Sequence, residues 1–379
     1  MTVLALLAAS EITGPCRGLF QLIEQTKDKD VTFVLGMFLL AGHPTAPAIE
    51  EARRRGVQVE VLVQRSRYDP RLVLQALSVI RRTRPAVIQS HGYKSALLAL
   101  ICRGLTGIPW VAFSHGYTDE DYRISLYNRM DRRLLRRANR VVAVSAAMAR
   151  MFAKAGIPNE RLRVVHNAVE PADHRLDADG SAFRQFCGVG PDDLLVGVVG
   201  RLSPEKGQGV FIEAFGDVVT HLPRAKAVLV GDGPERVRLE RRLQETGLAE
   251  RIMFSGHRQD VSEIYAALDL VVIPSWSEGL PNVLLESMLH GKAVVATDVG
   301  GVPEVLGSAR VGWLVKAGAP AQLGDAIREA LCDAGKRDAH GRAGAAYVRQ
   351  EYSPARRADQ IMAVYREVTQ PRIVEPASS

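Results

Sequence analysis

Short runs of consecutive apolar residues alternate with helix-forming stretches along the whole chain, and this alternation restricts the fold more than any other feature. In the first half, strands are predicted near Val3–Ala8, Val31–Leu39, Val57–Val63, Ala86–Gln89, Trp110–Phe113 and Val141–Val144, with helical stretches such as Pro47–Arg55 and Ala96–Arg103 between them. Short strands that lack a polar face must be covered on both sides, which is the condition of parallel strands joined by helices. After "HNAVEPADHRLDADGS" the pattern restarts, with strands near Leu195–Val199, Ala227–Val230, Ile252–Phe254, Leu270–Ile273 and Ala293–Ala296. The expectation is an α/β protein of two doubly wound domains, residues 1–172 and 193–352, joined by a polar linker at 173–192. A length of 379 residues is enough for two separate cores. Ligands of such sheets sit beyond the carboxyl ends of the strands, so the loops that follow them are the places to search.

Composition removes several alternatives. Four scattered cysteines, Cys16, Cys102, Cys187 and Cys332, offer no metal-type spacing and no disulfide framework, which suits a reducing cytosol. No apolar run approaches the roughly 18 to 20 residues of a membrane-spanning helix, and "MTVLALLAAS" reads as a first strand because it has no basic leader region. Charge is unevenly spread: 25 Lys+Arg against 14 Asp+Glu up to Pro171, and 24 against 28 beyond it. Nucleic acid is not indicated, since no aromatic-interleaved basic motif or zinc-finger spacing accompanies the basic half.

The strand-end loops carry the chemistry. "GRLSPEKGQG" sets Arg201 and Lys206 on a glycine-rich turn opened by Gly200, a pairing of guanidinium fork and ammonium charge that suits a diphosphate. The next loops are "VGDGPE", with Gly231, and "SGHRQDVSEIY", with His257 and Arg258. In "SEGLPNVLLESMLHGK", Pro281 is expected as the first helical residue and Gly291 as the stop, which puts Glu278 in the loop and Glu286 on the helix. Between them Gly279, Leu280 and Asn282 offer backbone N–H groups to an anion. In the first half, "QSHGYKS" and "FSHGYTD" each end a strand on a histidine, His91 and His115, the former followed by Tyr93.

The ordered series "GRLSPEKG", "VGDGPE", "FSGHRQDVSEIYAALD" and "VVIPSWSEGLPNVLLESMLHGKAVVATDVGGVPEV" resembles the retaining GT-B glycosyltransferases of the GT4 type, most specifically between about Val196 and Val315. The resemblance implies two Rossmann-like domains facing a cleft, with the helix at 353–370, carried by "EYSPARRADQIMAVYREV" from Glu351, packing back on the first. It implies a sugar nucleotide, a UDP- or GDP-sugar, as donor, and a glycan or lipid-linked acceptor, as in cell-surface polysaccharide or lipopolysaccharide biosynthesis. Glu278 and Glu286, with seven residues between them, match the family's paired glutamates. Glu286 would bond the ribose hydroxyls, and Glu278 would face the transferred sugar with Gly279, Leu280 and Asn282. Five residues of helix advance about 7.5 Å, the step from diphosphate to ribose. Arg201 and Lys206 would neutralise the departing diphosphate without a metal, and Gly14, Gly200, Gly231, His257 and Arg258 would complete the donor site. His115 would approach the donor sugar, and His91 and Tyr93 would lie on the acceptor side. Two departures stand out: Gly14–Pro15 replaces the family's double glycine, and Asn167 is followed by Ala168 where glycine is usual.

Each of these features has a plainer reading. The glutamates could be helix-cap acids, the cations solvated loop residues, and the histidines satisfied strand ends. The acidic pairs Asp28/Asp30, Asp119/Asp121 and Asp177/Asp179 lack the context of a metal-binding DxD motif. A sugar-nucleotide epimerase or hydrolase, or a non-catalytic sugar-nucleotide sensor, would share the fold.

Residues 125–140, "SLYNRMDRRLLRRANR", place Arg129, Arg133, Arg136 and Arg140 on one helical face and Tyr127, Met130, Leu134 and Ala138 on the other. Such a face fits either a wet side of a packed helix or peripheral docking on the anionic inner surface of a membrane. If docking is real, the protein co-sediments with anionic vesicles in low salt and is released in high salt; equal sedimentation with neutral vesicles rules it out.

Overall fold

The computed structural model describes residues 1–7, 11–66, 69–116, 122–171 and 174–370. Two compact units emerge: Met1–His115 with Ser125–His166 and Pro354–Ser379, and Gly116–Ile124 with Asn167–Ser353.

The first unit runs β1 (Thr2–Leu7), α1 (Gly14–Glu24), β2 (Thr32–Leu40), α2 (Pro47–Arg54), β3 (Gln58–Gln64), α3 (Arg71–Thr83), β4 (Val87–His91), α4 (Tyr93–Thr106), β5 (Trp110–Ser114), α5 (Tyr122–Leu135), β6 (Arg140–Ala143), α6 (Ala146–Lys154) and β7 (Leu162–Val164). Its sheet is parallel, in the order β3-β2-β1-β4-β5-β6-β7. The order reverses between β1 and β4, so the chain ends of those two strands define the switch point where α/β sheets bind ligands. The second unit runs α7 (Ser181–Phe186), β8 (Leu194–Val199), α8 (Gln208–His221), β9 (Ala225–Val230), α9 (Arg236–Thr246), β10 (Ile252–Gly256), α10 (Val261–Ala267), β11 (Leu270–Ile273), α11 (Asn282–Leu289), β12 (Val294–Thr297), α12 (Val302–Ala309), β13 (Trp313–Val315), α13 (Pro320–Cys332) and α14 (Ala334–Glu351). Its parallel sheet has the order β10-β9-β8-β11-β12-β13, with the reversal between β8 and β11. The chain then returns to the first unit as α15 (Pro354–Thr369), whose Ala358, Ile361, Met362 and Tyr365 join the core formed by Leu7, Leu19, Leu35 and Met37.

The predicted strands lie within one or two residues of the observed ones. The two that sequence reading passes over, β7 and β13, are three residues each, too short for a pattern to develop. Residues 174–192, within the stretch expected as a linker, are grouped with the second unit. The chain passes into the second unit at Asn167, and α7 within that stretch is docked on α10. The docking is specific: Arg184 donates to Ala267 O at 2.9 Å, Asp269 Oδ2 at 3.0 Å and Asp193 O at 2.6 Å. A Cβ on Gly180 would lie 2.2 Å from the Ala267 nitrogen.

The basic helix is shorter than residues 125–140 imply. It ends at Leu135, since Ala138 N turns back to Leu135 O and Asn139 N enters the sheet by donating to Trp110 O at 2.9 Å. Its buried side is Asn128, Asp131 and Leu135, while Met130 is exposed. Of the four arginines, Arg136 donates to Ala155 O at 2.8 Å and Arg140, already in β6, donates to Glu367 at 2.9 Å. Arg129 and Arg133 remain on the exposed side. Among the described residues no helix is long and apolar enough to cross a membrane.

Gly180→Ala should cost the second unit about 1 to 3 kcal/mol through overpacking. The expected signature is faster amide exchange in β8 and β11 with β1 and β4 unchanged; uniform loss across both sheets would contradict the local account.

Candidate active site

The loop after β8 begins at Gly200, whose φ of +145° is open to glycine. It is clamped from one side by Leu202 N donating to Asp232 O at 3.0 Å and Glu235 N donating to Leu202 O at 3.0 Å. Gln208, buried at the start of α8, donates to Arg201 O at 2.9 Å, while the Arg201 side chain is exposed. The loop after β11 meets it directly: Trp276 N donates to Glu205 O at 2.8 Å. The two loops at the switch point of this sheet are therefore one backbone-bonded assembly.

Glu278 is the polar centre of that assembly. Its Oε1 accepts from Lys206 Nζ at 2.7 Å and from Ser275 Oγ at 2.7 Å. Its side chain is only 8% exposed against 29% for Lys206. Ser275 is itself fixed, since its carbonyl accepts from Thr297 Oγ1 at 2.6 Å. The following peptides are oriented from behind. Gly279 O accepts from Gly301 N at 2.8 Å and Leu280 O accepts from Asn167 Nδ2 at 2.9 Å. The Glu278 carbonyl faces Gly300 so closely that a Cβ there would lie 2.0 Å from it. In a planar trans peptide the N–H points opposite its C=O. The amides of Gly279 and Leu280 therefore project away from Gly300 and Gly301, and among the described residues no hydrogen bond uses them. Pro281 is the N-cap and not the first helical residue: its ψ of 128° is extended, and α11 starts at Asn282 with no side-chain cap. Asn282 Oδ1 is buried without a hydrogen-bond partner among the described residues.

Glu286 lies on α11 within reach of α10, and Tyr265 Oη donates to its Oε2 at 3.1 Å. Tyr265 is fully buried, and burial first, then the Glu286 charge, pushes its hydroxyl well above the usual phenol range, so it stays a donor. One carboxylate oxygen of Glu286 is thereby held, which fixes the direction of the other.

Other expected donor residues have different engagements. Gly231, with φ of +135°, is a packing glycine: a Cβ there would meet Gly200 O at 2.0 Å. Arg258 donates from Nε to Asp260 Oδ1 at 2.8 Å and lies over the rings of Phe183 and Phe186 on α7 at 5.5 and 5.2 Å. Among the described residues no hydrogen bond or ion pair joins it to Lys206, Glu278 or Glu286. His257 is exposed. Tyr265, Ser275 and Thr297 are positioning residues that sequence reading does not find, and Asn167 is found only as part of an altered turn.

In the first unit, His91 ends β4 and His115 follows β5 directly. Their rings lie at 5.2 Å, with His91 Nδ1 and His115 Nε2 at 2.9 Å. Burial and the nearby Arg357 guanidinium hold His115 down at about 3, and burial, His115 and Arg357 keep His91 well below the usual imidazole range. Both rings are neutral at physiological pH. Tyr93 opens α4 and stacks on Tyr127 at 4.8 Å. Gly14 and Pro15 form the first turn of α1, where Pro needs no N–H partner. Among the described residues no cluster of three metal-type ligands occurs. Asp119 and Asp121 lie outside the described residues.

Residues 181–346 match the family model described as Glycosyl transferases group 1, and residues 19–173 match Glycosyltransferase Family 4. A 2-deoxystreptamine N-acetyl-D-glucosaminyltransferase of Streptomyces fradiae is 33% identical over 282 residues, 69% of this chain and 66% of that protein. A 2-deoxystreptamine glucosyltransferase of Streptomyces kanamyceticus is 28% identical over 310 residues, 76% of this chain and 79% of that one. The crystal structure of Anabaena HepE in complex with UDP is similar at a TM-score of 0.81 and 25% identity, over 97% of this chain and 100% of that one. This chain belongs to the GT4-type glycosyltransferases of group 1, with the α/β GT-B fold.

Removing the anchored carboxylate should be felt in binding. Glu286→Ala is expected to weaken sugar-nucleotide binding by about 1.5 to 3 kcal/mol, the value of a hydrogen bond to a charged group. Tyr265→Phe should cost less, because Glu286 stays but loses its guide. Calorimetric titration reads both, and equal affinity in all three chains would remove Glu286 from the site.

Proposed function

We propose that this glycosyltransferase acts with retention of configuration and without a metal, moving a sugar from a nucleotide diphosphate onto a glycan or lipid-linked acceptor. The observation that carries the reading is the Lys206–Glu278 pair at 2.7 Å beside the outward-turned amides of Gly279 and Leu280. These groups would receive the diphosphate, with Arg201 as the second cation. Glu286, guided by Tyr265, would bond the ribose. Anabaena HepE, solved with UDP and with UDP-glucose, favours a uridine nucleotide as the first donor to try.

In the proposed step the bond from the anomeric carbon to the phosphate oxygen breaks first. The acceptor hydroxyl then bonds that carbon from the same face, and its proton passes to a departing phosphate oxygen. Negative charge grows on the diphosphate as the bond breaks, so fixed N–H groups and the two cations act most strongly in the transition state. No protein base is needed in that sequence. Dependence of sugar release on acceptor separates transfer from the epimerase, hydrolase and sensor readings.

Lys206→Ala is expected to lower kcat by about a hundred- to a thousandfold while changing donor affinity much less. The assay follows labelled sugar from a panel of sugar nucleotides with and without acceptor. A variant with unaltered kcat, or sugar release indifferent to acceptor, would sink the mechanism.

A further inference from the structure

Four side chains in the first unit form a continuous chain of hydrogen bonds that ends on His115. Tyr365 on α15 bonds the Oε1 of Gln89 on β4. Gln89 Nε2 lies 2.6 Å from His91 Nε2, and His91 Nδ1 lies 2.9 Å from His115 Nε2. Gln89, His91 and Tyr365 are all buried.

Such a chain can run in only two directions, because each neutral imidazole has one donor and one acceptor nitrogen. If it ran from His115 toward Tyr365, the tyrosine oxygen would accept, and its own proton would need another acceptor. Among the described residues Tyr365 Oη has Gln89 as its one side-chain partner. The charged group that acts on it is the Arg357 guanidinium, which has no acceptor to offer. That direction therefore strands a buried hydroxyl proton, which costs free energy that the other direction does not. Running from Tyr365 toward His115 strands nothing, and it leaves the tyrosine oxygen in the favourable field of the Arg357 guanidinium. Arg357 is 7% exposed and is itself anchored, donating from Nη1 to Gly18 O at 2.7 Å. Neither imidazole escapes by taking a second proton, since burial and Arg357 oppose an imidazolium at both.

We propose that Tyr365, Gln89 and His91 form a one-way relay that locks His115 with its proton on Nδ1, so that His115 donates a hydrogen bond to a ligand oxygen and does not act as a base. His115 Nε2 is occupied by His91, and among the described residues no acceptor bonds His115 Nδ1. The ligand atom it addresses is an acceptor: a sugar hydroxyl oxygen or a phosphate oxygen. That identity rests on the proposed function; the tautomer does not. Gln89, His91 and Tyr365 are positioning residues, because they act only through His115.

Long-range proton–nitrogen correlation spectra of the full-length chain, labelled with nitrogen-15 in histidine, read the tautomer without substrate. His115 signals are assigned by their loss in His115→Gln. The relay requires Nδ1 in the protonated range and Nε2 in the unprotonated range; the opposite pattern in the natural chain overturns it. Gln89→Glu replaces the donating amide by an accepting carboxylate, which should reverse His91 and move the His115 proton to Nε2. An unchanged His115 pattern in folded Gln89→Glu also overturns the relay. Should that variant not fold, Tyr365→Phe frees the Gln89 amide to rotate and should yield mixed tautomers, whereas a single unchanged tautomer counts against the lock. In transfer assays Gln89→Glu should lower kcat about a hundredfold, the effect of losing one aimed donor. Full kcat with a reversed tautomer would overturn the donor role of His115.

Discussion

The contact between the loops after β8 and β11 is the constraint on which the proposed donor site depends. A carboxylate as buried as Glu278 is costly to leave without partners. Lys206 and Ser275 both bond its Oε1, which makes the burial tolerable and fixes where the carboxylate stands. The same contact fixes the ammonium group, and the backbone bond from Trp276 to Glu205 keeps the two loops in register. Behind them, Gly301 and Asn167 bond the carbonyls of Gly279 and Leu280, and the Glu278 carbonyl packs closely against Gly300. Orientation of the amides is thus a consequence of where the carbonyls are consumed. Two N–H groups, those of Gly279 and Leu280, are turned by glycines that never need to touch a ligand; the peptide held by Asn167 ends on Pro281 and has no N–H to offer.

The two units handle charge differently. In the second, Lys206 is paired with Glu278 at a strand switch point and Glu286 is bonded by Tyr265, so acidic and basic side chains face the loops together. In the first, the corresponding strand ends carry neutral rings, kept so by burial and by Arg357. A neutral imidazole recognises by the direction of its one N–H, not by charge. Direction has to be imposed, and the hydrogen-bond chain back to α15 is what imposes it. The return of α15 to the first unit accordingly supplies Tyr365 and Arg357 as well as apolar cover.

Much of this was legible before the coordinates. Buried strands announce themselves as apolar runs, and the glycine and proline of "SEGLPN" mark the loop-to-helix boundary closely enough to separate Glu278 from Glu286. What stayed hidden falls into two kinds. Some partners are distant in sequence: Tyr365 bonds Gln89 across 276 residues, and Asn167 reaches Leu280 across 113, separations at which spacing carries no information. Others depend on phase. A helical wheel drawn through Arg140 fails because the helix stops at Leu135, and the residues after it belong to a turn and a strand. The polar stretch at 173–192 misled for a related reason: α7 is only six residues and is held by Arg184 and by the missing side chain of Gly180, which composition does not display.

The pairing of Lys206 with Glu278 also says why a lysine suits that position. An ammonium group has three protons and no preferred plane, so one can remain on Glu278 while the others turn to an incoming phosphate. An arginine there would engage the carboxylate through its planar fork, and that bidentate contact would withdraw the guanidinium from the anion. Arg201 occupies the opposite circumstance: its side chain is exposed, and its main-chain carbonyl is tied by Gln208. A fork on a fixed backbone and an exposed stem is suited to closing over two phosphate oxygens at once. In the proposed mechanism the shared point charge would hold the loops in place beforehand, and both cations would answer the charge that develops on bond breaking. Exchanging the two residue types would keep the formal charge of the site and lose that division of labour.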